Sequence, residues 1–354
     1  MTTDTPSDMR SARPPRIDWI DHARGICIVL VVMMHSVLGM EFAAGEAGWM
    51  HPVVLFATPF RMPDFFLISG LFVANVLDRD WRLYLDRKVV HFLYFYILWL
   101  TIQFAVKAPG MIASEGVGAT VGEYFFAFVQ PFGTLWFVYL LAIFFVVTKI
   151  LHDLKIPWQL TLGVAALLQI TSIETGVYIV DYFAERYVFF FAGYIFAPRL
   201  FSLAAFATER RAAALSAIVI WACLNAASVA TGIYQLPGLS LALGAAGGVA
   251  VVLISSLLAS SGRLAGLRWM GAHSIVIYLA FFFPMAVARI LLPKLGLFDT
   301  GTLSLLVTIA AVTGPLILYF AVKRTGYGWF LFRRLAWAHV TRQVAHKEAG
   351  AAAE

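Results

Sequence analysis

Two ionisable side chains inside the first apolar run could do chemistry together. Arg24 and His35 stand eleven residues apart. At about 100° per residue that spacing closes on whole turns, so both lie on one helical face, roughly 16 Å apart along the axis. Asp21 shares nearly the same face. Ionisable groups in a membrane interior are costly and usually face a cavity or a partner. Arg24 reads either as an anchor paired with Asp21 or as the guard of a polar opening. His35 reads either as an inter-helix hydrogen bond or as a general base. The two on one stripe favour a lined cavity.

The second apolar run holds Arg61 and Asp64 at i and i+3 with Pro63 between them. They are close enough to pair, and the proline should kink the helix and free backbone carbonyls. Either they form a self-neutralised pair that fixes the kink, or Arg61 faces His35 and favours the neutral imidazole that a base requires. Ser69, beside Gly70, reads as a packing residue before a nucleophile. Farther along, Glu185, Arg186 and Arg289 read as interface anchors or, with Glu41, as a polar mouth where an acceptor docks. Trp136 and Tyr139 belong either to an aromatic belt or to a surface on which a sugar ring stacks. Arg79, Arg82, Arg87 and Lys88 cluster before the third run. They mark topology or bind phosphates through paired hydrogen bonds. There is no P-loop, dinucleotide fingerprint or metal-ligand spacing, and Cys27 and Cys223 offer no disulfide framework.

These residues need a membrane scaffold. The chain is 61% hydrophobic and 13% charged, against about 25% charged in soluble domains, and its mean hydropathy is +0.83. Apolar runs at 18–40, 52–77, 83–106, 131–151, 157–174, 178–198, 212–230, 238–260, 273–292 and 301–322 predict an all-α membrane protein of about ten transmembrane helices. The fifth is the weakest, being short and Gln-containing. Basic residues crowd alternate flanks (Arg79 to Lys88, Lys149 and Lys155, Arg210 and Arg211, Arg263 and Arg268), whereas the opposite loops hold only Lys107 and Lys294. By the positive-inside rule both termini are cytoplasmic. The reading is a tail at 1–16, a transmembrane domain at 17–322 and a basic tail at 323–354 lying on the membrane or disordered. The first run lacks a cleavage site, so no removed signal peptide is expected. The net charge of +6 sits in short loops, which argues against nucleic acid as a partner.

The stretch Asp21-His22-Ala23-Arg24-Gly25, with His35-Ser36 beyond it, resembles the opening of acyltransferase family 3. So does Phe60-Arg61-Met62-Pro63-Asp64-Phe65-Phe66-Leu67-Ile68-Ser69-Gly70. Arg79-Asp80-Trp81-Arg82 is similar to the family's Arg-x-x-Arg element, and Leu135-Trp136-Phe137 and Phe191-Ala192-Gly193-Tyr194 are weaker echoes. Two positions depart from the pattern. Asp64 stands where an apolar residue is common, and Phe281 follows the Ser274–Leu279 segment where the family often has His.

The resemblance implies transfer of an acetyl or succinyl group from cytoplasmic acyl-CoA to a hydroxyl of a carbohydrate or glycolipid in the envelope of a bacterial inner membrane. Acyl-CoA is then a donor substrate, with no permanently bound cofactor and no metal. On this reading His35, Arg61 and Asp64 are catalytic. Arg24, Asp21, Arg79, Arg82, Ser69, Trp136, Glu185 and Arg186 bind substrate. His35 acts as a base or itself carries the acyl group. Buried Arg, Asp and His would equally suit a glycan transporter or flippase, but no matching halves are visible.

Overall fold

The computed structural model describes residues 17–340, and among them every regular element is helical. Six helices are long and apolar enough to cross a membrane: α1 (Asp18–Ala44), α4 (Trp81–Glu115), α5 (Trp136–Asp153), α9 (Arg211–Ala230), α10 (Leu239–Ser261) and α14 (Thr300–Thr325). Three more pass only as bent pairs. These are α2 with α3 (His51–Ala57 and Arg61–Gly70, 44°), α7 with α8 (Tyr178–Ile195 and Ala197–Glu209, 72°), and α12 with α13 (Ser274–Ala280 and Phe282–Leu295, 53°). α6 (Trp158–Thr171) has 14 residues, a length of about 21 Å, short of a bilayer core of about 30 Å. α11 (Ala265–Ala272) is a short helix before α12. Each of the ten expected runs thus meets a helix or a bent pair, while six to nine satisfy the length and composition of a span.

The three breaks share one cause. Pro63, Pro198 and Pro284 each fall in the first turn after the break. A proline ring collides with the carbonyl four residues back and supplies no N–H, whereas in a first turn that N–H would have no helical partner anyway. The helix therefore stops and restarts just ahead of each proline. The expected kink at Pro63 lies earlier than anticipated, at 58–60, and leaves Arg61 as the first residue of α3. Pro315, inside α14, produces no break.

Glycines let the site-bearing helices touch. A Cβ on Gly70 of α3 would collide with the Phe190 carbonyl, and one on Gly193 of α7 with the Leu67 carbonyl. Gly25 of α1 and Gly271 of α11 meet in the same reciprocal way, against Leu267 and Asp21. Such close backbone approach drives helix association where lipid is as apolar as the side chains. Behind α3 the rings of Phe65 and Phe137 stack at 4.3 Å, and Phe144 bridges Phe66 (5.0 Å) and Phe190 (5.4 Å).

Beyond α14 the chain folds back onto α4. The Trp99 indole donates to the Leu331 carbonyl at 3.0 Å and the Tyr94 hydroxyl to Phe330 at 3.1 Å. Arg334 forms a buried ion pair with Asp86 at 3.0 Å. Within the segment expected as a basic tail, 323–325 complete α14 and 326–340 pack against α4. The remainder, 341–354, and the expected tail at 1–16 lie outside the described residues. Asp86 opens one turn of π-helix, Asp86–Val90, which carries Arg87 and Lys88.

Candidate active site

One cavity of about 350 Å³ brings together His35 of the first span and Arg61 of the second. α1 contributes Val31, Met34 and His35, α3 contributes Arg61 and Met62, and the turn before α5 contributes Gly133 and Thr134. Trp136 and Phe137 of α5, Tyr182 and Arg186 of α7, and Tyr278 of α12 complete it. Two of the breaks lie beside it: Arg61 begins α3, and Tyr278 lies three residues before the break at Phe281.

His35 packs against Phe281, ring centroids 5.6 Å apart. Among the described residues its ring nitrogens have no hydrogen-bond partner and no carboxylate orients them. The Arg61 guanidinium faces the same space, its Nε and Nη1 buried without a partner. Arg61 and Arg289 both lie within electrostatic range of the imidazole. Arg289 itself is fixed by donation to the Gly39 carbonyl at 2.9 Å.

Arg61 and Asp64 do not pair. Both oxygens of Asp64 are buried and unpartnered among the described residues, and a Cβ on Gly248 of α10 would lie 3.5 Å from Oδ1. Asp64 therefore sits behind α3 against α10, outside the cavity. Both positions lie in the first turn of α3, but their side chains diverge, Arg61 toward the cavity and Asp64 toward α10.

Trp136 and Arg186 are both in the cavity, but the guanidinium covers the aromatic surface. It lies 5.0 Å from the Trp136 ring and 4.5 Å from Tyr182, and Arg186 also pairs with its exposed neighbour Glu185. A sugar stacking on that face of Trp136 would have to displace Arg186. Glu41 is absent from this mouth. It binds His51 at 2.7 Å and the Gly48 amide at 3.0 Å, shaping the turn after α1. Tyr139 is likewise elsewhere, bonded to the Phe128 carbonyl at 2.8 Å. Ser69 donates to the Phe65 carbonyl at 2.7 Å and does not line the cavity.

Arg24 is not part of the cavity either. It pairs with Asp21 at 3.8 Å. Between it and His35, Ile28 and Val31 fill the stripe and are buried. Arg24 instead belongs to a cationic cluster, since Arg79, Arg24 and Arg87 are all within electrostatic range of Lys88. Partial burial, together with Arg87, pushes the Arg79 guanidinium below its usual pKa. Arg82 is exposed, its backbone amide capped by Asp80 at 2.9 Å. The structure thus brings His35, Arg61, Trp136 and Arg186 together, and separately Arg24 with Arg79. Asp64, Ser69 and Arg82 stand apart from both groups.

Sequence reasoning missed Thr134, Tyr182 and Tyr278. Tyr278 donates to the Thr134 carbonyl at 2.6 Å, so its proton is engaged. The Tyr182 hydroxyl has no partner among the described residues, and Thr134 Oγ1 is buried and unpartnered. Tyr278 lies inside the segment already singled out at Ser274–Leu279. Thr134 and Tyr182 carry no signal that distinguishes them from interface residues. Among the described residues no cluster of His, Cys, Asp or Glu could hold a metal.

A family model described as an acyltransferase domain, acyltransferase 3, matches residues 17–320. The chain is 30% identical over 164 residues to the inner membrane protein YcfT of Escherichia coli (strain K12), covering 39% of this chain and 45% of that protein. It is 25% identical over 183 residues to the nodulation protein NolL of Sinorhizobium fredii, covering 51% of this chain and 48% of the relative. The NolL of Mesorhizobium japonicum is 24% identical over 132 residues, with 37% and 35% covered. The matches span less than half the length of each of these curated relatives. No solved structure matches the chain.

Proposed function

From the premise that this chain belongs to the acyltransferase 3 family and is a multi-pass membrane acyltransferase, we propose that it moves an acyl group from cytoplasmic acyl-CoA to a hydroxyl of an envelope carbohydrate or glycolipid. The membrane is a bacterial inner membrane, crossed ten times with both termini in the cytoplasm. One observation carries the reading: His35 and Arg61, from two different helices, line a single cavity. The inner-membrane and nodulation proteins among the relatives support a bacterial envelope setting.

In this reaction the acceptor hydroxyl oxygen attacks the thioester carbonyl while a ring nitrogen of His35 takes its proton. The carbonyl oxygen gains negative charge beside the Arg61 guanidinium, with the Tyr182 hydroxyl as a second donor. When the C–S bond breaks, the imidazolium returns the proton to the departing thiolate. Arg24, Arg79, Arg87 and Lys88 hold the phosphates of the coenzyme at the other end of α1, about 16 Å away. That separation requires the thioester arm to pass Ile28 and Val31.

Two measurements test the proposal. Purified protein in lipid nanodiscs should bind acyl-CoA directly. Mass spectrometry of envelope glycans from a strain lacking the protein should show one missing acyl mass. An unchanged glycan profile together with no acyl-CoA binding would overturn the reading.

A further inference from the structure

The cavity carries more positive charge than a neutral acyl transfer needs. Arg61 and Arg186 line it with His35, and none of its twelve lining residues is acidic. Arg289 adds its field from outside the wall, and Arg61 and Arg186 act on each other. A single guanidinium suffices for a developing oxyanion. Burying further guanidinium groups is unfavourable unless an anion completes them.

The hydrogen-bonding pattern is unfinished in the same sense. Nε and Nη1 of Arg61 and Nε of Arg186 are buried with no partner among the described residues. The nearest acid in sequence, Asp64, faces α10 and leaves Arg61 unpaired. Among the described residues the one acid that pairs with Arg186 is Glu185, whose side chain is 54% exposed while that of Arg186 is 13% exposed. Trp136 and Tyr182 pack on the Arg186 guanidinium. The two rings lie 5.0 Å from each other and form a corner against which the guanidinium is held, which suits a two-point contact with a carboxylate or phosphate.

We infer that this cavity takes a reactant bearing a fixed negative charge, a carboxylate or phosphate, held between Arg61 and Arg186 beside His35. The inference rests on the proposed transfer reaction and narrows its substrate class. The charge comes either with the acyl group, as the free carboxylate of a dicarboxylic acyl chain, or with the acceptor, as an acidic sugar.

Calorimetry on the full-length protein in nanodiscs separates these sources. The donor arm compares succinyl-CoA with butyryl-CoA, which has the same chain length without the terminal carboxylate. The acceptor arm compares methyl β-D-glucuronide with methyl β-D-glucoside. In one arm the charged member should bind at least about tenfold more tightly. Arg61→Gln should erase that preference while Arg61→Lys keeps part of it, with melting temperatures confirming folded protein. Equal binding within both arms, no binding of either charged probe, or a preference that survives Arg61→Gln would overturn the inference. Failure of the wild type to bind any coenzyme A ester would instead sink the donor assignment, and the sugar arm would still decide the question of charge.

Discussion

The imidazole of His35 rests against the ring of Phe281, 5.6 Å between centroids, at the point where the α12–α13 span breaks. Phe281 is fully buried. Position 281, where the family often has a second histidine, therefore adjoins the first histidine. In this chain the neighbour is a wall that cannot exchange a proton, so the proposed acid–base step rests on His35.

His35→Ala should lower acyl transfer by at least about a hundredfold, the scale of a lost general base, with no change in the amount of folded protein. Thiol release from acyl-CoA, measured beside size-exclusion profiles, checks both halves. Substantial remaining turnover would remove His35 from the mechanism.

Phe281→Leu separates packing from chemistry at the neighbouring position. The substitution removes buried aromatic contact and should lower the melting temperature, while transfer stays within about tenfold of wild type because no proton passes through residue 281. A loss as deep as that of His35→Ala would assign Phe281 a direct role.

At the basic cluster, Lys88→Gln should weaken coenzyme A binding by about tenfold, the value of a charge-assisted phosphate contact. Arg82→Ala should change it less, because Arg82 is exposed and apart from the group around Lys88. Titration calorimetry at two salt concentrations checks the order. The reverse ranking would move the phosphate site to the Arg-x-x-Arg loop.

Arg334→Ala removes the guanidinium that neutralises the buried Asp86 carboxylate, which still accepts from the Val340 amide at 3.0 Å. Breaking such a pair destabilises by about 3–5 kcal/mol, whereas replacing both partners with apolar residues is often close to neutral. Arg334→Met with Asp86→Leu should therefore recover much of the melting temperature lost by the single variant. Similar losses in both would show that the docking of 326–340 depends on other contacts.

Gly193→Ala should be more harmful than its one methyl suggests. The added atom meets the Leu67 carbonyl rather than a side chain that can move aside, and overpacking of this kind costs about 1–3 kcal/mol. A thermal shift assay checks it.

Much of this was legible in the chain itself because it depends on local spacing. The placement of Arg24 and His35 on α1 follows from an eleven-residue interval, and the apolar runs follow from composition. The Ser69-Gly70 and Gly193 echoes were visible separately, and only the structure shows that Gly70 and Gly193 are two sides of one contact. Other features depend on distant partners. Arg186 covers Trp136 from fifty residues away, and Arg334 reaches Asp86 across 248. No periodicity encodes such meetings. The Arg61–Asp64 pairing failed although i,i+3 spacing permits it, because Arg61 turns into a cavity built by distant helices and Asp64 packs toward Gly248 of α10.

The interrupted spans carry one more implication. A helix that begins at bilayer depth presents its opening amides to surroundings that hydrocarbon cannot satisfy, so something polar must reach them. Where α3 starts, the available medium is the interior of the cavity. Water that satisfies those amides would share the cavity with the proposed thioester and compete with the acceptor hydroxyl for it. On the proposed mechanism, slow hydrolysis of acyl-CoA in the absence of acceptor is the expected side reaction, and its suppression by acceptor would measure how far the acceptor excludes water.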